Sequence, residues 1–197
     1  IVFGDWSSDV CSSDLYRMEI LAEDIDYVPG ALWTVEILDD TRVTAVPHMH
    51  RIIVGVDPAA STGQTGIVVV GIAKINGVDH GFVLDDATSK PGASPGEWAG
   101  DAVAAYHRWE ADKIVGEVNN GGNMVEATIR SVEGGQRVNY EMVRASRGKH
   151  TRAEPISALF NPPPQIDIIP RAHLAGRFEF LEDELTSWVP EIGRAHV

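Results

Sequence analysis

Cysteine is almost absent from this sequence, since Cys11 is the only one among 197 residues. A chain with one cysteine cannot build an intrachain disulfide framework or a metal site made of several thiolates. Long apolar runs are absent too, because none approaches the roughly 18 residues that a membrane span requires. No signal peptide is visible either. We therefore expect a soluble protein, and the shortage of cysteine fits an intracellular one.

Basic residues are also scarce. The chain has 16 Lys and Arg against 29 Asp and Glu, for a formal net charge of −13 at pH 7. This balance argues against a protein that coats DNA through overall charge. It does not exclude a local basic groove, because net charge does not describe how charge is distributed.

Both ends of the chain have an unusual composition. Residues 5–15 resemble a translated sequencing-library adapter, and residues 191–197 resemble the same kind of adapter read from the other strand. We interpret 1–15 and 191–197 as artefacts and leave them out of the fold argument, the alternative being a natural Ser-rich tail. We then expect a fragment, with residues 16–50 forming a connector or arm and residues 51–190 forming the main domain.

The main domain alternates β-branched runs with helical patterns. Asn76-Gly77 is a strong two-residue hairpin signal, and Ser94-Pro95 followed by Glu97 is a typical helix start. We predict strands over 51–56, 66–75, 78–86, 113–118, 137–144 and 165–169, and helices over 31–38, 95–111, 123–132, 148–160 and 178–188. This order predicts an α/β fold whose mixed sheet combines an antiparallel three-strand meander with parallel strands and has helices on both faces.

Two predicted strands end in a carboxylate, Asp57 and Glu117. If the first and fourth strands are neighbours, these side chains emerge side by side at one edge of the sheet. Oxygen ligands without cysteine favour a hard cation, Mg²⁺ or Mn²⁺, and two such ions about 4 Å apart suit phosphodiester hydrolysis. The alternatives are a turn-forming role for Asp57 and a charge-pairing role for Glu117. The histidines outside the basic cluster show no ligand spacing and are interpreted as surface or packing residues: His48, His50, His80, His107 and His173.

A basic cluster follows the fifth predicted strand. It contains Arg144, Arg147, Lys149, His150 and Arg152 around a turn in an otherwise acidic chain. Arginine and lysine contacts to phosphates position DNA without reading its sequence, so the cluster suits a DNA backbone. The alternative is a solvated loop in which Arg152 pairs with Glu154 or another acid.

Several motifs in this order resemble the C-terminal nuclease domain of tailed-phage large terminase subunits. They are Val54-Gly-Val-Asp57-Pro-Ala, Thr65-Gly-Ile-Val-Val-Val70, Pro95-Gly-Glu-Trp98-Ala, Ile114-Val-Gly-Glu117-Val-Asn-Asn-Gly-Gly122, Arg144-Ala-Ser-Arg-Gly-Lys149, Arg152-Ala-Glu-Pro155 and Leu181-Glu-Asp-Glu-Leu-Thr-Ser-Trp188. The segment Val28-Pro-Gly-Ala-Leu-Trp33 resembles the connector from the ATPase domain of that family. The resemblance covers nearly all of residues 16–190.

The resemblance implies an RNase H-like fold and a two-metal endonuclease that cuts concatemeric double-stranded phage DNA during genome packaging. It implies that Asp57 and Glu117 are catalytic and bind two Mg²⁺ or Mn²⁺ ions. It also implies a portal protein and a small terminase subunit as partners, in the host cytoplasm.

The sequence departs from the family pattern at one place. The family supplies a further aspartate in a helix shortly after the tryptophan–proline segment, where this chain has the adapter-like residues 191–197. Asp183 is a poor substitute, because it precedes Trp188 on a helix face that we expect to be solvated. We therefore expect weak metal binding and little or no cleavage.

Three other functions remain possible from the sequence. One is another RNase H-like nuclease, such as a junction resolvase or a transposase core. Another is a non-catalytic docking module of the packaging motor, in which Asp57 and Glu117 are structural. The turn after Asp57 is also similar to that of actin-like ATPases, but their second phosphate loop is not evident, and no Gly-rich Walker-type loop is visible.

Overall fold

The computed structural model describes residues 28–59, 63–117, 124–161 and 169–189. In chain order its elements are α1 (Val35–Asp40), β1 (Arg51–Asp57), β2 (Gly66–Ile75), β3 (Val78–Asp86), α2 (Pro95–Arg108), β4 (Lys113–Glu117), α3 (Met124–Ser131), β5 (Tyr140–Val143), α4 (Lys149–Phe160), β6 (Ala172–Leu174) and α5 (Glu179–Ser187). None of the helices in these ranges has the length and apolar character that a membrane span requires.

The six strands form one mixed sheet in the order β5-β4-β1-β2-β3-β6. The β1–β2 and β2–β3 pairs are antiparallel, whereas the β1–β4, β4–β5 and β3–β6 pairs are parallel. The predicted meander is therefore confirmed, and the first and fourth strands are neighbours, which was the condition for placing Asp57 beside Glu117. Because β1, β4 and β5 run in the same direction, their carboxyl ends lie at one edge of the sheet.

The β2–β3 hairpin shows how local sequence sets the register. Asn76 and Gly77 form its turn with φ angles of 50° and 84°. Both central residues of a type I′ turn need positive φ, which Asn and Gly adopt more readily than other residues. The turn fixes the opposition of Ile75 and Val78, and the ladder keeps this register back to Val70, beyond which a bulge shifts it.

One face of the sheet is covered by α2 and α3. Alternate strand residues, among them Val54, Val69 and Ile114, are fully buried against this helical layer. Helix α2 begins with the predicted capping box, in which the Ser94 N–H donates to Glu97 Oε2 at 2.9 Å. Its small residues, such as Ala102, allow the helix to approach the strands closely.

The opposite face carries a second apolar cluster at the β3–β6 side of the sheet. Val83 contributes from β3, and Phe160 contributes from the end of α4. The arm also joins this cluster, because Trp33 and Leu38 are only 4% and 1% exposed. Helices therefore cover both faces, and the described part of the arm packs on the domain.

The structure corrects several local predictions. The strand expected at 137–144 is limited to β5 because β4, its partner, has only five residues. Residues 165–168 of the strand expected at 165–169 lie outside the described residues, and Ile169 is in a bend rather than a strand. The sixth strand is instead Ala172–Leu174, which follows Pro170 and is too short for its pattern to indicate a strand.

Packing sets two side-chain orientations that helical spacing does not reveal. Met124 is 66% exposed, because Val125 and Ile129 take the buried positions of α3. The Glu182 side chain is only 15% exposed and pairs with Arg42. The periodicity of α5 could not reveal this partner, which belongs to the arm.

The histidines agree with the interpretation as packing and surface residues. His80 is buried on β3, and its Nδ1 lies 3.0 Å from Nε2 of His173 on β6. Burial lowers the pKa of both imidazoles. His48, His50 and His107 are exposed.

Candidate metal centre at the carboxyl ends of β1 and β4

Asp57 is the last residue of β1, and its side chain is exposed. Other groups hold the turn that follows: the Ala59 N–H donates to Thr65 Oγ1 at 3.4 Å, and the Thr65 N–H donates to Ser89 Oγ at 2.9 Å. Across the antiparallel ladder Asp57 faces Gly66, whose missing side chain leaves space beside it. The carboxylate is therefore fixed by a strand and open to solvent.

Glu117 ends the neighbouring strand β4. Val56 and Gly116 are partners in the parallel ladder, and Asp57 and Glu117 follow them directly. Since successive side chains alternate between faces, both carboxylates leave the face opposite the α2 layer, in which Val56 is buried. Strand order and register thus bring the two predicted residues together, while their roles as catalytic metal ligands stay a prediction.

The Arg152 side chain forms an ion pair with Glu117. Its Nη1 donates to Glu117 Oε2 at 3.0 Å and its Nη2 donates to Oε1 at 3.3 Å, so the guanidinium contacts both carboxylate oxygens. Its Nε also donates to the Arg147 carbonyl at 3.1 Å. The sequence had grouped Arg152 with the DNA-binding residues and left an ion pair as the alternative. The structure contains that ion pair, with a partner 35 residues away.

The other basic residues lie at the same edge of the sheet. Glu117 is in register with Val143, the last residue of β5, so Arg144 follows the strand end that neighbours Glu117. Arg144, Arg147 and Lys149 are exposed between β5 and the first turn of α4. An exposed basic segment thus adjoins the two carboxylates, although the chain as a whole is acidic.

The sequence analysis missed another acid near this edge. Asp86 ends β3, which runs in the same direction as β1, but β2 lies between them. Two strand spacings separate Asp86 from Asp57 laterally by about 10 Å. Asp86 Oδ1 also accepts from the Thr88 N–H at 3.0 Å. It is therefore too far from Asp57 to share an ion with it.

Gly116 and Tyr140 support the end of β4 from the other face. A side chain at Gly116 would meet the Tyr140 ring, with Cζ 3.0 Å from an added Cβ. Burial raises the pKa of the Tyr140 phenol, and nearby Glu126 adds to the effect. The isolated glycine in Ile-Val-Gly-Glu was the available sequence signal, since a glycine inside a strand often marks a close approach.

The donors at this edge suit a hard divalent cation. Mg²⁺ and similar ions prefer oxygen ligands, keep several waters and need only one or two carboxylates beside a phosphate. An exposed Asp57 next to Glu117 fits that pattern. In the described ranges no group of three or more His, Cys, Asp or Glu residues is placed to hold a metal. Asp183, which the sequence analysis judged a poor substitute for the further aspartate, lines a cavity beside the arm with Val35 and Leu38.

Comparison with known proteins gives a family match over most of the chain. A family model described as terminase RNaseH-like domain matches residues 54–197. No curated protein sequence matches. Among solved structures, RuvC from Thermus thermophilus matches at 14% identity with a TM-score of 0.42, over 58% of this chain and 84% of that chain. RuvC from the same organism in complex with Holliday junction substrate matches at 14% identity with a TM-score of 0.26, over 64% of this chain and 65% of that chain.

Proposed function

The chain belongs to the family of terminase RNase H-like domains, and from this premise we propose that it is the metal-dependent nuclease domain of a phage terminase large subunit. Its substrate would be concatemeric double-stranded DNA, cut during genome packaging. The observation that carries the proposal is the adjacency of Asp57 and Glu117 at two parallel strand ends beside an exposed basic segment.

The residues divide into two roles. Asp57 and Glu117 would hold Mg²⁺ or Mn²⁺ at positions fixed by the sheet. A pair of such ions would supply an activated water and would stabilise the leaving oxygen of the phosphodiester. Arg144, Arg147, Lys149 and Arg152 bind the DNA backbone and orient the scissile phosphate over the carboxylates.

Within the described residues, two carboxylates give a small set of protein ligands. The ions would depend on water and substrate phosphate for the rest of their coordination. We therefore expect weak metal binding and low cleavage activity from the chain of this sequence. The portal protein, the small terminase subunit and the host cytoplasm are the partners and location that fit this function.

The function is tested by incubating the chain with supercoiled plasmid and Mn²⁺ and following nicked and linear products. Asp57→Asn and Glu117→Gln should each abolish the low product formation of the unchanged chain, because each removes a metal-ligating carboxylate. Glu154→Gln is the matched control, because Glu154 is an exposed acid on α4. Cleavage that persists in both strand-end variants would refute the two-metal assignment.

The ion pair between Arg152 and Glu117 favours one other function, a non-catalytic docking module in which Glu117 is structural. Mn²⁺ binding separates the two, because the cleavage expected of the unchanged chain is low. A docking module would bind no Mn²⁺, and Glu117→Gln would change only its midpoint of thermal unfolding.

A further inference from the structure

The Arg152 guanidinium lies where a metal on Glu117 would bind. It contacts both carboxylate oxygens, at 3.0 and 3.3 Å, on a face of the sheet shared with Asp57. A divalent cation on Glu117 would need lone pairs of the same two oxygens. Two positive groups that compete for one carboxylate also repel each other, so occupancy by one disfavours occupancy by the other.

Few contacts hold the N-terminal turn of α4, so the Arg152 side chain can move away from Glu117. Lys149, His150 and Thr151 are exposed, and the buried residue of this helix, Phe160, lies at its far end. Gly148 precedes the helix without a side-chain cap. Pro155 has no N–H to donate to the Thr151 carbonyl, which further weakens the first turn. Releasing Arg152 therefore exposes little apolar surface.

We propose that Arg152 is the resident cation of the metal site, which a metal ion displaces from Glu117 and which then turns to the DNA backbone. This inference rests on the proposed function and adds an order of events to it. Before metal binds, the guanidinium neutralises Glu117. After metal binds, the freed guanidinium joins Arg144, Arg147 and Lys149 at the exposed edge, so metal binding and DNA binding favour each other.

The first test measures Mn²⁺ affinity without DNA, from the loss of the free-ion electron paramagnetic resonance signal. Arg152→Gln should bind Mn²⁺ about fivefold more tightly than the unchanged chain, the amount expected from removing a partly exposed ion pair. Arg147→Gln removes the same charge from the same segment without touching Glu117, so it should increase the affinity by less than about twofold. Equal affinities for the unchanged chain and Arg152→Gln, or equal gains in both variants, would overturn the displacement.

The second test uses the unchanged chain and so does not depend on how a variant folds. Nuclear magnetic resonance of the arginine side-chain nitrogens should show separate, slowly exchanging Nη signals for Arg152 in the metal-free chain. Saturating Mg²⁺ should merge these signals as the guanidinium is released. Signals that stay separate while the Asp57 and Glu117 carboxyl resonances shift would refute the displacement.

Asp57→Asn separates failure of this inference from failure of the proposed function. If Asp57→Asn abolishes Mn²⁺ binding while Arg152→Gln leaves it unchanged, the metal site stands and the displacement is wrong. If neither the unchanged chain nor Arg152→Gln binds Mn²⁺, the metal site itself is wrong and the proposed function fails together with the inference.

Discussion

Two arginines in this domain each hold a glutamate through two nitrogen–oxygen contacts, but their surroundings differ. Arg42 contacts the two oxygens of Glu182 at 2.9 and 2.8 Å, and their side chains are 19% and 15% exposed. Arg152 contacts Glu117 at 3.0 and 3.3 Å, and their side chains are 37% and 17% exposed. Arg42 has additional partners in Asp39 and the Gly176 carbonyl.

The difference separates a pair that joins structural elements from a pair that can exchange partners. The first joins the arm to α5, and Glu182 also accepts from the Phe178 N–H at 2.6 Å. These bonds raise the pKa of Arg42 and lower that of Glu182. The second pair lies at an open sheet edge beside a second carboxylate. Similar chemistry therefore supports the fold in one place and a candidate site in the other.

The largest expected effect is on stability. Arg42→Ala should lower the free energy of unfolding by about 2 kcal/mol, because it leaves Glu182 largely buried without its main partner. Urea denaturation followed by circular dichroism measures this change. Arg177→Ala is the control, since Arg177 is 65% exposed and reaches Asp39 only at 3.5 Å. Equal effects of the two variants would show that burial of the Arg42–Glu182 pair does not matter.

The next effect concerns DNA. Arg147→Gln should weaken binding of a short duplex about fivefold and reduce the slope of log affinity against log salt by about 1, as expected for one lost phosphate contact. Fluorescence anisotropy over a range of salt concentrations measures both quantities. Arg177→Gln removes the same charge on the arm side and should change neither. Equal losses in both variants would mean that DNA does not prefer the edge with Arg144, Arg147 and Lys149.

A smaller effect concerns pH. The Arg42 bond lowers the pKa of Glu182 below its ordinary 4.5. A carboxyl whose pKa is lower in the folded state contributes stability above the unfolded pKa, and this contribution is lost as the pH falls through the folded value. As the pH falls below 4.5, the free energy of unfolding should therefore decrease less steeply for Glu182→Gln than for the unchanged chain. Urea midpoints measured down to acidic pH test this, and parallel curves would contradict it.

The smallest effect is predicted for the exchangeable pair. Arg152→Gln should change the free energy of unfolding by about 0.5 kcal/mol or less, since a partly exposed ion pair contributes little. Urea denaturation in the absence of divalent ions measures it beside Arg42→Ala. If Arg152→Gln lowers the free energy of unfolding as much as Arg42→Ala does, the Arg152–Glu117 pair stabilises the fold like the Arg42–Glu182 pair, and the contrast between them is wrong.

Local signals in the sequence were enough for much of the fold. Asn76-Gly77 set the hairpin, and the Ser94 capping box set the start of α2. The adjacency of Asp57 and Glu117 could be expected only if the first and fourth strands were neighbours, and the observed strand order meets that condition. These features depend on neighbours in sequence or on topology, and both leave patterns that can be recognised.

The missed features depend on distant partners. Arg152 reaches Glu117 across 35 positions, and Arg42 reaches Glu182 across 140. Neither arginine carries a local mark that distinguishes an ion-pair partner from a phosphate-binding residue. The short strand β6 was missed for a similar reason, because three residues form a strand only when β3 is present to pair with them.

The turn between β2 and β3 has a practical consequence. Strand β2 begins opposite Asp57 and runs for ten residues before Asn76, so this turn lies about 30 Å from the carboxylates. Both turn residues are exposed. A dye or a surface tether attached beside this turn would leave the basic edge unobstructed. The domain could then be watched on single DNA molecules while Mg²⁺ is exchanged.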